Sequence, residues 1–130
     1  MHPDEEATIR EFIVPHLRAR WLDKLNTARQ RRSFLDRLNH CPDFDDRYVT
    51  SLAVTTNVPG LLRSRGVPAT CHVIPDIEAL DGCVLPLDEA IDQAESAGFG
   101  ALFCCIHGRL AYHYGERGIR RFLLERSAPL

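Results

Sequence analysis

The chain has 130 residues, of which 45% are apolar and 26% charged, and its formal charge at neutral pH is −2. This length excludes two domains of ordinary size, and the composition excludes a disordered chain. No apolar run reaches the roughly 18 residues that a membrane span needs, and Pro3-Asp4-Glu5-Glu6 is acidic where a secretory signal is basic. We therefore expect one domain over residues 1–130, located in the cytoplasm and without a membrane partner.

The cysteine pattern indicates reduced thiols rather than disulfides or a metal site. There are five cysteines, an odd number, and none lies in a Cys-x-x-Cys motif: Cys41, Cys71, Cys83, Cys104 and Cys105. A chain of this size builds its own core without disulfides, and free cysteines usually pack as small apolar side chains. Cysteines and histidines cluster in three places, His40-Cys41, Cys71-His72 and Cys104-Cys105-Ile106-His107, but none has the short ligand loop of a structural zinc site. We expect no metal and no cofactor.

Two helices are predicted in residues 1–40. The first begins near Asp4, with Pro3 suited to its first turn, and it stops or kinks at Pro15 because proline cannot donate a backbone hydrogen bond. The second runs from about residue 16 to residue 39, with apolar residues on one side at steps of three, four or seven. This pattern predicts a helical hairpin or a kinked helix pair.

Residues 47–130 mix strand and helix patterns. A short helix is predicted over residues 60–65, a strand over 69–74 and a helix over 86–97 that Gly98 ends. Segments 47–56 and 119–126 fit either a strand or a helix. The order of elements predicts an α+β fold, with the helix pair packed on a small, mainly antiparallel sheet that includes a β-hairpin over residues 98–115.

The hairpin has two apolar runs, 101–106 and 110–114, separated by His107-Gly108-Arg109. A two-residue turn can use His107-Gly108, which places Cys105 opposite Leu110, or Gly108-Arg109, which places Cys105 opposite Tyr112. Both registers give the same two faces, because side chains alternate along a strand. One face holds Ala101, Phe103, Cys105, Leu110, Tyr112 and Tyr114; the other holds Leu102, Cys104, Ile106, Ala111 and His113.

Both hairpin faces are apolar, whereas a strand pair at a solvated surface shows one polar face. We therefore expect both faces to be covered. Helices can cover one of them, and either more of the chain or a partner covers the other. Cys104 and Cys105 point to opposite faces, so they need not share a site.

One hypothesis is an enzyme or metal site built from Cys104 or Cys105 with His107 or His113. In the Gly108-Arg109 register, Cys104 lies opposite His113, at a distance suited to a thiolate–imidazole pair. A reactive thiol also needs exposure and positive surroundings, and an apolar strand supplies neither. The sequence contains no recognisable catalytic motif. No catalytic residue is firm, and the pattern favours a non-enzyme.

A second hypothesis is association with nucleic acid through the basic segment 16–37, which carries seven Arg or Lys residues. Cations in such a cluster neutralise backbone phosphates. The candidates are Arg18, Arg20, Lys24, Arg29, Arg31 and Arg32. Segment 76–95 carries seven acids and no Arg or Lys, so the two segments can instead pair within the molecule. The calculated isoelectric point of about 6.3 also weakens the hypothesis.

The hypothesis that we place first is a small interaction protein acting through protein–protein contacts. Two apolar hairpin faces and an apolar helix stripe flanked by Arg resemble the aromatic and Arg anchors of interfaces. The partner is another protein or a second copy of the chain, as in a homodimer. The absence of a specific motif for the other classes is the main reason for this order.

Overall fold

The computed structural model describes residues 1–126, which form five α-helices and six β-strands. The helices are α1 (Pro3–Phe12), α2 (Arg18–Leu25), α3 (Ala28–Phe34), α4 (Val58–Ser64) and α5 (Leu87–Ala97). The strands are β1 (Val49–Ser51), β2 (Thr70–Pro75), β3 (Val84–Pro86), β4 (Ala101–Ile106), β5 (Leu110–Gly115) and β6 (Arg120–Glu125). Short 3-10 turns connect several of these elements. The predicted α+β fold is confirmed.

The six strands form one sheet in the order β1-β6-β5-β4-β2-β3, and every neighbouring pair is antiparallel. The predicted hairpin supplies the two central strands, β4 and β5. The segments 47–56 and 119–126, which the sequence pattern left open, contain the paired strands β1 and β6. Strands β1 and β3, each of three residues, are the two edges of the sheet.

Helices cover both faces of the sheet, so the chain itself buries both faces of the hairpin. On one face, side chains of the N-terminal helices such as Ile9 and Trp21 belong to the same buried cluster as Leu102 of β4. On the other face, Leu62 of α4 and Ile91 of α5 belong to the cluster around the remaining hairpin residues. The expectation that both faces are covered is confirmed. Of the two alternatives for the second face, the cover comes from the chain itself and not from a partner.

The long second helix of the prediction is broken into α2 and α3. Thr27 has an extended backbone (φ −123°, ψ 134°) at the position just before α3, and a 3-10 turn over Leu35–Asn39 follows α3. Asn26 and Thr27 are weak helix formers, so a break there costs little. The break lets both Trp21 and Phe34 reach the core, where their rings meet edge to face at 4.8 Å.

The hairpin follows one of the two predicted registers along most of its length. Pairs from Ala101↔Tyr114 to Cys104↔Ala111 match the His107-Gly108 register, and the Gly108-Arg109 register is wrong. A β-bulge at Cys105 shifts the next pair to Ile106↔Leu110 and leaves a three-residue turn. The bulge also turns Ile106 toward the α4–α5 side, whereas the other face residues lie where the alternation placed them.

No helix in the described residues 1–126 is long and apolar enough to cross a bilayer.

Candidate functional site

The two hairpin cysteines lie on opposite faces of the sheet, as the alternation predicted. Cys105 faces the α4–α5 layer and Cys104 faces the N-terminal helices. The residue opposite His113 is Leu102, so the predicted pairing of Cys104 with His113 is wrong. The neighbours of Cys104 in the ladder are Ala111 on β5 and His72 on β2.

Both thiols are in surroundings that disfavour the thiolate. Cys104 is 5% exposed and Cys105 is 6% exposed. Burial raises the pKa of both thiols above the ordinary value, because a thiolate loses its solvation in an apolar core. The Cys105 thiol donates a weak hydrogen bond to the Phe103 carbonyl oxygen at 3.4 Å. These are the features of cysteines that pack in a core.

The two candidate histidines have different environments. His107 is exposed in the hairpin turn, and its Nδ1 lies 2.7 Å from Asp4 Oδ1. His113 is fully buried, and its Nε2–H donates to the Leu38 carbonyl oxygen at 2.8 Å. Burial lowers the pKa of His113 to about 4, so the ring is neutral at pH 7. The four residues Cys104, Cys105, His107 and His113 therefore do not form one cluster.

A buried ionic network joins α1, α3, β2 and the loop before β3. Glu5 is 2% exposed and its Oε2 accepts hydrogen bonds from His72 Nε2 at 2.9 Å and from Arg31 Nη2 at 3.0 Å. Arg31 also forms a bidentate pair with Asp81, with both N–O distances at 2.6 Å. The ring of His2 stacks on His72 at 4.2 Å between centroids.

The surroundings of Glu5 favour its carboxylate form over the protonated acid. Burial alone would raise its pKa, but the hydrogen bonds from His72 and Arg31 outweigh this effect, and the pKa lies below the ordinary value of 4.5. Sequence reasoning missed Glu5 and His72 as a pair, since they are 67 positions apart. The opposite charges of segments 16–37 and 76–95 were the available signal, and they account for the Arg31–Asp81 pair.

The basic segment divides into an inward and an outward set. Arg31 lies in the network above, Arg32 donates to the Pro75 carbonyl oxygen and lies 3.6 Å from Asp81, and Arg18 donates to the Ile13 carbonyl oxygen. By contrast, Arg20, Lys24 and Arg29 form no ion pair within residues 1–126. Half of the six candidate cations therefore stabilise the fold.

Within the same described part of the chain, no group of three His, Cys, Asp or Glu side chains is arranged to hold a metal ion. The five cysteines are all free, and only Cys83 is more than slightly exposed.

One corner of the sheet is exposed and apolar. Val54 follows edge strand β1 and is 69% exposed, and Ile119 precedes β6 and is 79% exposed. The β1–β6 register pairs Ser51 with Phe122, and the Leu52 N–H donates to the Arg121 carbonyl oxygen at 2.8 Å. The end of β1 therefore lies beside the start of β6; Val54 follows Ser51 by three residues and Ile119 precedes Phe122 by three.

The outer edge of β1 has groups available for strand pairing. Because the Leu52 N–H points toward β6 and the direction alternates along a strand, the N–H and C=O groups of Ser51 and the C=O group of Val49 point away from the sheet, whereas the Val49 N–H donates to the Asp46 carbonyl oxygen. Strand β1 contains neither proline nor a charged residue, the usual protections of an edge. Edge strand β3, by comparison, ends in Pro86.

No protein-family model matches this sequence, and neither the curated proteins nor the solved structures give a significant match.

Proposed function

We propose that the protein is a small cytoplasmic interaction protein that associates with a second copy of itself through strand β1 and the apolar corner of Val54 and Ile119. The observation that carries this proposal is the exposed apolar pair next to an unprotected edge strand. The hairpin faces no longer support it, since the chain's own helices cover them. Five free cysteines fit the reducing cytoplasm.

A second copy of the chain is the partner that suits the β1 edge best. Every strand pair in the sheet is antiparallel, and a strand placed beside its own copy by a two-fold axis is also antiparallel. The shared sheet would then continue across the two copies. Since β1 is only three residues long, its hydrogen bonds are few, and Val54 and Ile119 supply the apolar contact area.

The experiment is sedimentation equilibrium of the purified protein over a wide range of concentrations. We expect a dimer that Val54→Asp with Ile119→Asp converts to a monomer, since a charge at each position opposes burial. Ser51→Pro provides a separate test, because it removes an outward-pointing N–H from β1. The control is Val84→Asp, which places the same charge on a 57% exposed side chain at the opposite edge.

A wild-type protein that stays monomeric throughout would overturn self-association, as would a dimer that persists in both edge variants. Far-ultraviolet circular dichroism of each variant shows whether the fold is retained. If the wild type is monomeric but binds a different protein through the same corner, the protein is still an interaction protein, and its partner is that other protein.

The second candidate function is association with nucleic acid. Its supporting observation is that Arg20, Lys24 and Arg29 form no ion pair within the described residues. The number of cations available for phosphate contact is then smaller than the six that the sequence suggests. Retention on heparin that falls steeply with salt is the expected result, and passage through the column at low salt would contradict it.

A further inference from the structure

The break between α2 and α3 creates a groove on the outer surface of the N-terminal helices. The groove has a volume of about 390 Å³. Side chains from both helices and the turn after α3 line it with polar groups: Arg20, Lys24, Gln30, Ser33, Asp36 and Arg37. A continuous helix over residues 16–39, as the sequence pattern predicted, would not have brought these two helices side by side.

The groove concentrates positive charge in a molecule whose overall charge is negative. Three cations and a single carboxylate line it, whereas the whole chain has a formal charge of −2. Arg20 and Lys24 lie on one helical side, four positions apart, where like charges repel each other. Within residues 1–126 neither of them has an acidic partner to offset this repulsion.

The third cation, Arg37, is held in place. Its Nε lies 3.2 Å from Asp43 Oδ2, and its guanidinium carbon lies 4.7 Å from the centroid of the Phe34 ring. A guanidinium positioned in this way loses little additional freedom when it binds an anion. Arg37 thus contacts Asp43 and Phe34 and also lines the groove.

Two neutral side chains add hydrogen-bond donors. Ser33 has a hydroxyl group, and the Gln30 amide oxygen accepts a hydrogen bond from Thr27 Oγ1 at 3.2 Å. With its oxygen engaged, the Gln30 amide has its NH₂ group available to donate. A hydroxyl donor, an amide donor and three cations form a set that matches the oxygens of a phosphate group.

We propose that the groove between α2 and α3 binds a phosphate group, with Arg20 and Lys24 neutralising its charge and Arg37, Ser33 and Gln30 donating to its oxygens. The phosphate belongs either to a small phosphorylated molecule or to a nucleic-acid backbone. This inference rests on the second candidate function and deepens it by naming the ligand group and the residues. It is independent of the β1 contact.

The test is a nuclear magnetic resonance titration of the ¹⁵N-labelled protein with two probes, pyrophosphate and a single-stranded oligonucleotide, at constant ionic strength. We expect saturable shifts of the α2 and α3 amide signals. The double variant Arg20→Gln with Lys24→Gln should weaken binding by about a hundredfold, since each of the two lost charged donors costs on the order of tenfold. The matched control is the double variant Arg109→Gln with Arg117→Gln, which removes the same charge from two exposed arginines outside the groove.

The outcomes separate the two sources of the phosphate. If both probes bind and the double variant weakens both, a nucleic-acid backbone is the source and the second candidate function is supported. If pyrophosphate alone binds at the groove, the site stands, a small molecule is the source and nucleic-acid association fails. If neither probe shifts these signals, or if the groove variant and the double variant of Arg109 and Arg117 bind equally, the groove is not a phosphate site.

Discussion

His113 illustrates how a single buried ring makes stability depend on pH. Its Nε2–H donates to the Leu38 carbonyl oxygen, and no hydrogen-bond partner of its Nδ1 is found within residues 1–126. The rings of Phe44 and Phe122 lie 4.9 Å and 5.9 Å away between centroids. The neutral ring suits this site, whereas a second proton would place a charge in an apolar core.

We expect the free energy of unfolding to fall as the pH drops below 6.5. The pKa of His113 is about 4 in the folded protein and 6.5 as an ordinary value, so between these values the unfolded chain binds the additional proton. Between pH 7 and pH 5 the loss should be about 2 kcal/mol. Urea unfolding at the two pH values measures it.

The variant His113→Phe lacks the titrating ring, so its free energy of unfolding should change less between pH 7 and pH 5. The exposed His107 provides the control, since His107→Gln should retain the wild-type pH dependence. Equal pH dependence of the wild type and His113→Phe would show that His113 is not the group responsible.

Glu5 makes the stability of the protein depend on pH in a lower range than His113 does. Because its pKa lies below 4.5 in the folded protein, its contribution to stability is present above pH 4.5 and is lost as the pH falls through the folded value. At pH 6, Glu5→Gln should lower the free energy of unfolding by about 3 kcal/mol, since it removes one partner from a buried ion pair. The difference from the wild type should shrink toward pH 3.

The neighbouring carboxylate, Glu6, is the matched control. Its side chain is 46% exposed and pairs with Arg10 one helical turn away, so Glu6→Gln should cost well under about 1 kcal/mol. Urea unfolding of the two variants at pH 6 and pH 3 gives the comparison. Equal losses in Glu5→Gln and Glu6→Gln would mean that the buried network contributes nothing particular to stability.

At the scale of elements, a pair of glycines determines how the N-terminal helices meet the sheet. Gly100 precedes β4 and Gly115 ends β5, and the backbone of Leu38 and Asn39 lies directly against them. A Cβ atom at Gly100 would lie 2.5 Å from the Leu38 carbonyl carbon. The Gly100 N–H also donates to Asn39 Oδ1 at 2.8 Å.

We predict that Gly100→Ala destabilises the protein by about 3 kcal/mol, since the added methyl group meets backbone that cannot move aside easily. Urea unfolding measures the loss. For comparison, Gly66→Ala adds a methyl group in open space at a φ of +83°, where the expected cost is about 1 to 2 kcal/mol from backbone strain. The close contact would be disproved if Gly100→Ala cost no more than Gly66→Ala.

The same elements show what local sequence could and could not predict. The hairpin faces followed from strand alternation, which depends only on neighbouring residues. The bulge at Cys105 did not, because it depends on how the turn and the neighbouring strands pair. The break at Asn26–Thr27 was missed because the apolar stripe continues through it, and neither residue forbids a helix.

At the scale of the whole molecule, local sequence patterns could not predict the main candidate surfaces. The apolar corner consists of Val54 and Ile119, which are 65 positions apart and belong to the same end of the sheet only because β1 pairs with β6. The division of the basic segment into inward and outward cations depends on contacts with Glu5 and Asp81. Opposite charges in two segments predicted that they would pair, but not which cations would remain outside.

The buried position of Glu5 has a consequence for synthesis of the protein. Helix α1 leaves the ribosome long before its buried partners, since His72 follows Glu5 by 67 residues and β4 comes later still. Until those strands emerge, the apolar side of α1 and the Glu5 carboxylate have no native environment. Contacts between such distant segments also slow folding. We therefore expect the fold to form only after translation has passed β4, with the nascent chain depending on chaperones until then.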